Sequence, residues 1–404
     1  MASSSLSHSS GPPPEPLAGR PAGLRDGPHG RYGVRADRAP RERNAAAVSD
    51  IHGGRRRGRG AQANPSGRFE AEARQAWDDG WDSLADLPAT RTEVQDEQAK
   101  RIITRNTSPD ISFDRSINPY RGCEHGCAYC YARPSHAFMG LSPGLDFETR
   151  LFAKPDAAML LEGELAAPGY RPATIAMGTN TDPYQPIERQ RRITRSILEV
   201  LERTGHPVGI VTKSALVTRD IDILGAMAER GLAKVAISLT SMDRVLARTM
   251  EPRAAAPHRR LEAMAALADA GIPVTVMTAP VIPALNDMEL ERLLDAAHAS
   301  GASEAGYVLL RLPLEVAPLF RQWLESHYPN RADHVLSLVR SMRGGKDYDA
   351  AWGKRMRGSG PYAWQIGRRF ELATRRLGLN AGRTPLRTDL FTPPVPVGGQ
   401  LALI

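Results

Sequence analysis

From about Ile102 onward, short apolar runs alternate with longer amphipathic stretches, and this alternation limits the fold more than any other feature of the chain. The runs Ser116–Tyr120, Ala173–Met177, Val208–Thr212, Val235–Leu239, Val274–Thr278 and Ala305–Leu310 are brief and apolar or β-branched, as buried parallel strands are. Helical periodicity lies between them. Arg189–Arg203 puts Ile193, Ile197, Leu198 and Leu201 on one face, and Asp220–Arg230, Arg259–Ala270 and Met288–Ala299 repeat the pattern. Strand–helix repetition predicts an α/β fold with a parallel sheet. About six such units build either an open doubly wound sheet or a partial barrel; in both, the loops leaving the strand C-termini carry the site.

The flanks read differently. Residues 1–65 are rich in Gly, Pro, Ser and Arg and have little apolar periodicity, so they are expected to be disordered. They include the basic stretch Gly53–Gly60, which can touch phosphates or serve as a solvated tail. Residues 66–101 form a polar linker in which Trp77 and Trp81, one helical turn apart, can dock a short helix. The core is expected over 102–312, a helical, Arg-rich extension over 313–390 and a tail over 391–404. The net charge is +8, and residues 1–60 alone carry 11 Arg against 5 acids. The rest of the chain is therefore close to neutral, which argues against a strongly basic folded body. No apolar run approaches the roughly 18 residues of a membrane span, and no secretory h-region is visible.

The chain has three cysteines, and all fall in the run Cys123-Glu124-His125-Gly126-Cys127-Ala128-Tyr129-Cys130. A disulfide framework uses an even number, spread along the chain; an odd cluster points to a metal site in a reducing compartment, so a cytoplasmic protein is expected. The run follows the first candidate strand. Gly122 and Gly126 let it curl tightly around a bulky ligand. Three thiolates at spacings of four and three can converge on one inorganic cluster. A four-iron cubane usually takes four thiolates, so three leave one iron open to a further ligand. Structural zinc as Cys3His, with His125 or His136, is the alternative.

The CxxxCxxC spacing, with aromatic Tyr129 before the third cysteine, resembles the signature of the radical S-adenosylmethionine (radical SAM) superfamily. The resemblance implies a partial (βα)6 barrel, a 4Fe-4S cluster on Cys123, Cys127 and Cys130, and S-adenosylmethionine chelating the open iron. It implies reductive cleavage to a 5′-deoxyadenosyl radical that abstracts hydrogen from substrate, and a reductant such as flavodoxin or ferredoxin. The phrases Asn118-Pro119-Tyr120-Arg121-Gly122-Cys123 and Gly178-Thr179-Asn180-Thr181-Asp182 are similar to a bacterial branch of the spore photoproduct lyase-related group, also labelled DNA repair photolyases. The likeness spans roughly 102–312. That lyase returns hydrogen from a further cysteine outside the cluster; this chain has none.

The resemblance also assigns the remaining strand-end loops. Gly178, Thr179, Asn180, Thr181 and Asp182 stand where relatives carry a Gly-Gly-Glu-type element for the methionyl amine; Asp182 and the threonine hydroxyls are the acceptors here. Lys213 is expected to meet the methionyl carboxylate, and Ser238 the ribose or carboxylate. Val281 and Ile282 resemble the segment that packs on adenine, although core packing would look the same. Two functions follow: a radical SAM enzyme on an unidentified substrate, nucleic acid among the candidates, or a nucleic-acid-binding module stapled by an iron–sulfur cluster or zinc without SAM turnover.

Overall fold

The computed structural model describes residues 58–70, 91–383 and 385–394. Trp77, Trp81 and most of the basic stretch Gly53–Gly60 lie outside them. The strands are β1 (Glu93–Asp96), β2 (Ile103–Arg105), β3 (Arg115–Ile117), β4 (Tyr120–Arg121), β5 (Arg150–Ala153), β6 (Ile175–Met177), β7 (Val208–Thr212), β8 (Ala233–Ser238), β9 (Val274–Val281) and β10 (Glu304–Leu309). Seven of them form one sheet in the order β10-β9-β8-β7-β6-β3-β2. All pairs are parallel except β2 with β3.

This order decides between the two architectures. Each barrel strand pairs with the next one in sequence, from β3 to β10, with no reversal. A doubly wound sheet reverses its strand order at a switch point; a barrel does not. One face of the sheet is buried: Ile175, Val208, Val235 and Val274 lie on it, and the helices Ile193–Arg203, Ile221–Glu229, Pro257–Asp269 and Leu290–Ala299 alternate with the strands along the chain. β10 and β2 are not paired with each other, so the barrel is open along one side.

The predicted first strand, Ser116–Tyr120, is two pieces. β3 stays in the barrel, and β4 turns away at Asn118-Pro119 to pair antiparallel with β5. Proline offers no N–H to a ladder, which is why the strand breaks there. β5 also pairs with β1, giving a small second sheet. The predicted helix Arg189–Arg203 is likewise divided, by Arg192 in the left-handed region.

The C-terminal region carries the helices Val316–His327, Ala332–Ser341 and Pro361–Arg376. Between the last two, the loop 342–360 crosses the open side. Arg343, fully buried, donates to the carbonyls of Leu309 and Leu310 at the end of β10 and to those of Lys354 and Arg355. Arg355 reaches Asp110, in the β2–β3 connection, at 2.5 Å, and Asp110 also accepts the Gly353 N–H. Phe391, read as the start of a tail, packs on Tyr170 and His206.

Candidate active site

The cysteine loop leaves the C-terminal end of the first barrel strand and is closed by the β4–β5 pairing. The Cys123 N–H donates to the Phe147 carbonyl at 2.9 Å, and the Cys130 N–H to the Cys127 carbonyl at 3.2 Å. Cys123 and Cys127 are buried and Cys130 is partly exposed; all three are free thiols. Burial is the largest influence on the Cys123 and Cys127 thiols and pushes both up, Cys127 to about 12.

Arg133 shapes the loop from inside. Its side chain is wholly buried and donates twice to the Cys127 carbonyl, at 2.9 and 3.0 Å, and to the Pro143 and Gly144 carbonyls. Its counter-charge is Glu148, 2.5 Å away and equally buried. The same carboxylate accepts the Gly60 and Ala61 N–H groups, and Arg59 donates to the Glu148 carbonyl. Residues 58–65 therefore run along the cysteine loop, held by backbone groups that a composition-based reading does not weigh. Gly126, with φ +65°, is at this contact: a side chain there would meet Glu148.

The loop after β6 braces the cysteine loop from the other side. Thr181 Oγ1 donates to the Gly122 carbonyl at 2.6 Å, and Gln185 bonds both that carbonyl and the Glu124 N–H. Gly178 has φ +93°, and a β-carbon there would sit 2.0 Å from the Val211 carbonyl oxygen, so only glycine fits against β7. Asn118 ties down Thr179 Oγ1 and the Asn180 N–H. The Thr179 carbonyl accepts the Tyr131 hydroxyl at 2.5 Å.

Asp182, read from the sequence as an acceptor for the cofactor, has its oxygens engaged elsewhere. They take the Thr212 hydroxyl at 2.6 Å, the Lys213 N–H at 2.8 Å and the Tyr184 N–H at 2.9 Å, and His125 Nδ1 is 3.2 Å away. Burial works to raise its pKa, but His125 and these hydrogen bonds outweigh it and hold the carboxyl at about 2. It is an anchor between the cysteine loop and β7.

Lys213, at the end of β7, points at the site: its ammonium is 5.7 Å from the Tyr129 ring centroid. Burial alone would discharge it, but Cys127 and Glu251 more than compensate and raise its pKa. Glu251 was not visible from the sequence as a site residue. It is buried, accepts the Thr240 hydroxyl at 2.9 Å, and contacts the Tyr129 hydroxyl and the Arg260 guanidinium. Arg260 also donates to the Ser238 carbonyl at 2.9 Å. Tyr129, Lys213, Ser238 and Glu251 are thus brought to one end of the barrel, beside Cys127. Ile282 joins the apolar cluster that contains Cys127 and Tyr129, whereas Val281 belongs to the main core.

Three thiols on one loop are a donor set that a four-iron cluster with one open iron accepts. His125 Nδ1 faces Asp182 at 3.2 Å, and His136 Nε2 bonds the Arg150 carbonyl at 2.9 Å while its Nδ1 is buried without a hydrogen-bond partner. Among the described residues no three His, Cys, Asp or Glu side chains converge on one point, as a tetrahedral ion requires. Thiolates on separate irons of a cluster stand further apart.

A family model described as the Radical SAM superfamily matches residues 117–297. An uncharacterized protein of Mycobacterium tuberculosis is 36% identical over 232 residues, covering 57% of this chain and 68% of the relative. One of Methanocaldococcus jannaschii is 26% identical over 243 residues, covering 59% and 85%. Among solved structures, spore photoproduct lyase complexed with dinucleoside spore photoproduct superposes with a TM-score of 0.51 at 18% identity, over 71% of this chain and 80% of that one, a likeness of fold. With three cysteines on the loop after the first strand of an open, sequentially ordered βα barrel, the chain belongs to the radical SAM superfamily.

Proposed function

We propose that this radical SAM protein is an enzyme that holds a 4Fe-4S cluster on Cys123, Cys127 and Cys130 and cleaves S-adenosylmethionine. The supporting observation is the loop itself: three free thiols within eight residues, braced by Arg133 on one side and by Thr181 and Gln185 on the other. When bound, the cluster and S-adenosylmethionine supply one-electron reductive cleavage to a 5′-deoxyadenosyl radical, which abstracts hydrogen from substrate.

The protein's own residues orient and enclose. Lys213 offers a fixed cation to the methionyl carboxylate. Asn180 is the amine acceptor of choice, because the Asp182 oxygens are taken by His125 and β7 and those of Thr179 by Asn118 and Tyr131. Ser238 is assigned to the ribose, and Ile282, which packs with Cys127 and Tyr129, to the adenine edge. Glu251 and Arg260 lock Tyr129, so the loop between the second and third cysteines keeps one shape. An external reductant, flavodoxin or ferredoxin, supplies the electron. The substrate is proposed to be nucleic acid or a nucleotide. No helix among the described residues is long and apolar enough to cross a membrane, which fits a cytoplasmic enzyme.

Anaerobic reconstitution with iron and sulfide, reduction by dithionite and incubation with S-adenosylmethionine should yield 5′-deoxyadenosine. Zinc without iron in the purified protein, together with no cleavage, would favour a metal-stapled binding module instead.

A further inference from the structure

Arg311 follows β10 at the same end of the barrel as the cysteine loop. Its guanidinium carbon lies 4.8 Å from the Tyr131 ring centroid and 5.9 Å from that of Tyr348. Its terminal nitrogens reach only the Met356 thioether, at 3.5 Å, and the Tyr348 hydroxyl, at 3.3 Å. Its Nε is buried with no hydrogen-bond partner. Among the described residues no carboxylate lies within ion-pair distance of it; the nearby Asp110 is taken by Arg355 and the Gly353 N–H.

The contrast with Arg343 is informative. Arg343 also lacks a carboxylate and has a buried, unpartnered Nε, but its terminal nitrogens bond four backbone carbonyls and staple the loop 342–360. Arg311 presents five strong donors to a thioether and a phenol, which are poor acceptors for a guanidinium. It is held in place by its neighbours without being neutralised. On the loop 342–360, Arg357 lies 3.9 Å over the Tyr307 ring, and the exposed Trp352 faces Arg355 at 5.0 Å. A guanidinium flanked by two tyrosine rings matches a ligand that combines a phosphate with a flat ring.

We propose that Arg311 binds a phosphate group of the substrate at the open side of the barrel, with the Tyr131 and Tyr348 rings flanking the adjoining sugar or base. This rests on the enzymatic reading above. It names a specificity residue, one that holds the substrate while the cysteine loop and Lys213 hold the cofactor.

The test uses the anaerobically reconstituted full-length protein, a fluorescein-labelled ten-residue oligothymidylate, and labelled thymidine monophosphate to separate a polymer phosphate from a free nucleotide. Arg311→Gln should weaken binding of the oligonucleotide, the mononucleotide or both about tenfold. For the oligonucleotide it should also reduce the slope of log K against log salt by about 0.7, the loss of one single-strand phosphate contact. Arg311→Lys should recover part of the affinity, and Arg368→Gln, on a surface pair with Glu371, should bind as wild type. Substrate-free formation of 5′-deoxyadenosine and the cluster absorbance should be unchanged in Arg311→Gln. Unaltered affinity and salt slope for both probes would overturn the proposal, as would weakened binding of S-adenosylmethionine in place of the probes. Failure of the wild-type protein to cleave S-adenosylmethionine would instead overturn the enzymatic reading, whatever the binding data give.

Discussion

A β-carbon placed on Gly60 would lie 1.6 Å from the carbonyl oxygen of Gly126. The segment before the barrel and the middle of the cysteine loop are therefore in backbone contact, with no room for a side chain between them. Gly60→Ala must push one of the two away. We expect it to lower iron bound per chain by at least half after reconstitution, measured by metal analysis, with little change in far-ultraviolet circular dichroism. Gly163→Ala, in a helix with open space around the position, should leave iron content unchanged and stability equal or slightly higher.

The Arg133–Glu148 pair should be costly to break. Both side chains are fully buried, and Arg133 holds the Cys127 carbonyl. Glu148→Gln leaves the guanidinium uncompensated and is expected to destabilise the apo protein by about 3–5 kcal/mol in urea denaturation. A loss below about 1 kcal/mol would mean that the backbone carbonyls alone satisfy Arg133.

Lys213→Met keeps the apolar stem and removes the charge. It should weaken binding of S-adenosylmethionine about tenfold or more in anaerobic calorimetry, with cluster absorbance retained. Cys130→Ala should instead abolish the absorbance. Wild-type cofactor affinity in Lys213→Met would remove Lys213 from the site.

Acid should destabilise the fold through His206. Its ring is buried, its Nε2 is 2.9 Å from the Tyr170 hydroxyl and its Nδ1 is 3.1 Å from the Pro207 carbonyl. Burial depresses its pKa to about 4. Because the folded value lies below the unfolded one of about 6.5, the stabilisation is complete above pH 6.5 and is lost as pH falls towards 4, at about 1.4 kcal/mol per pH unit. The urea midpoint should fall across that window, and His206→Leu should flatten the slope by about one proton. His136, also depressed to about 4 by burial, adds a second such contribution. An unchanged slope in the variant would show that His206 does not titrate there.

The barrel was legible wherever hydrophobic pattern alone decides the structure. β7 occupies the residues its apolar run predicts, and the other barrel strands agree within a few positions. β1, β2, β4 and β5 were not visible: they are two to four residues long, and a segment such as Glu93–Asp96 has no apolar alternation to reveal it. In the site, residue type singled out the thiols, Lys213 and Asp182, but not what the Asp182 oxygens bond to. A carboxylate looks the same in a sequence whether it faces a ligand or, as here, His125 and the end of β7. Glu148, Arg133 and Glu251 escaped because their partners are backbone groups or residues tens of positions away.

The barrel's unpaired edges give the open side a mechanical character of its own. Across every other seam, backbone ladders fix the spacing of neighbouring strands, and no single substitution can widen it. Across the gap between β2 and β10, the described links are Arg355 on Asp110 and Ser108 and the Gly353 N–H on the Asp110 side chain, with Arg343 anchoring the loop that carries them. Aperture is therefore a side-chain property in this molecule. A change at Asp110 or Arg355 can widen the opening while leaving the sheet, the thiols and their braces as they stand, so the aperture and the cysteine loop can vary on separate residues.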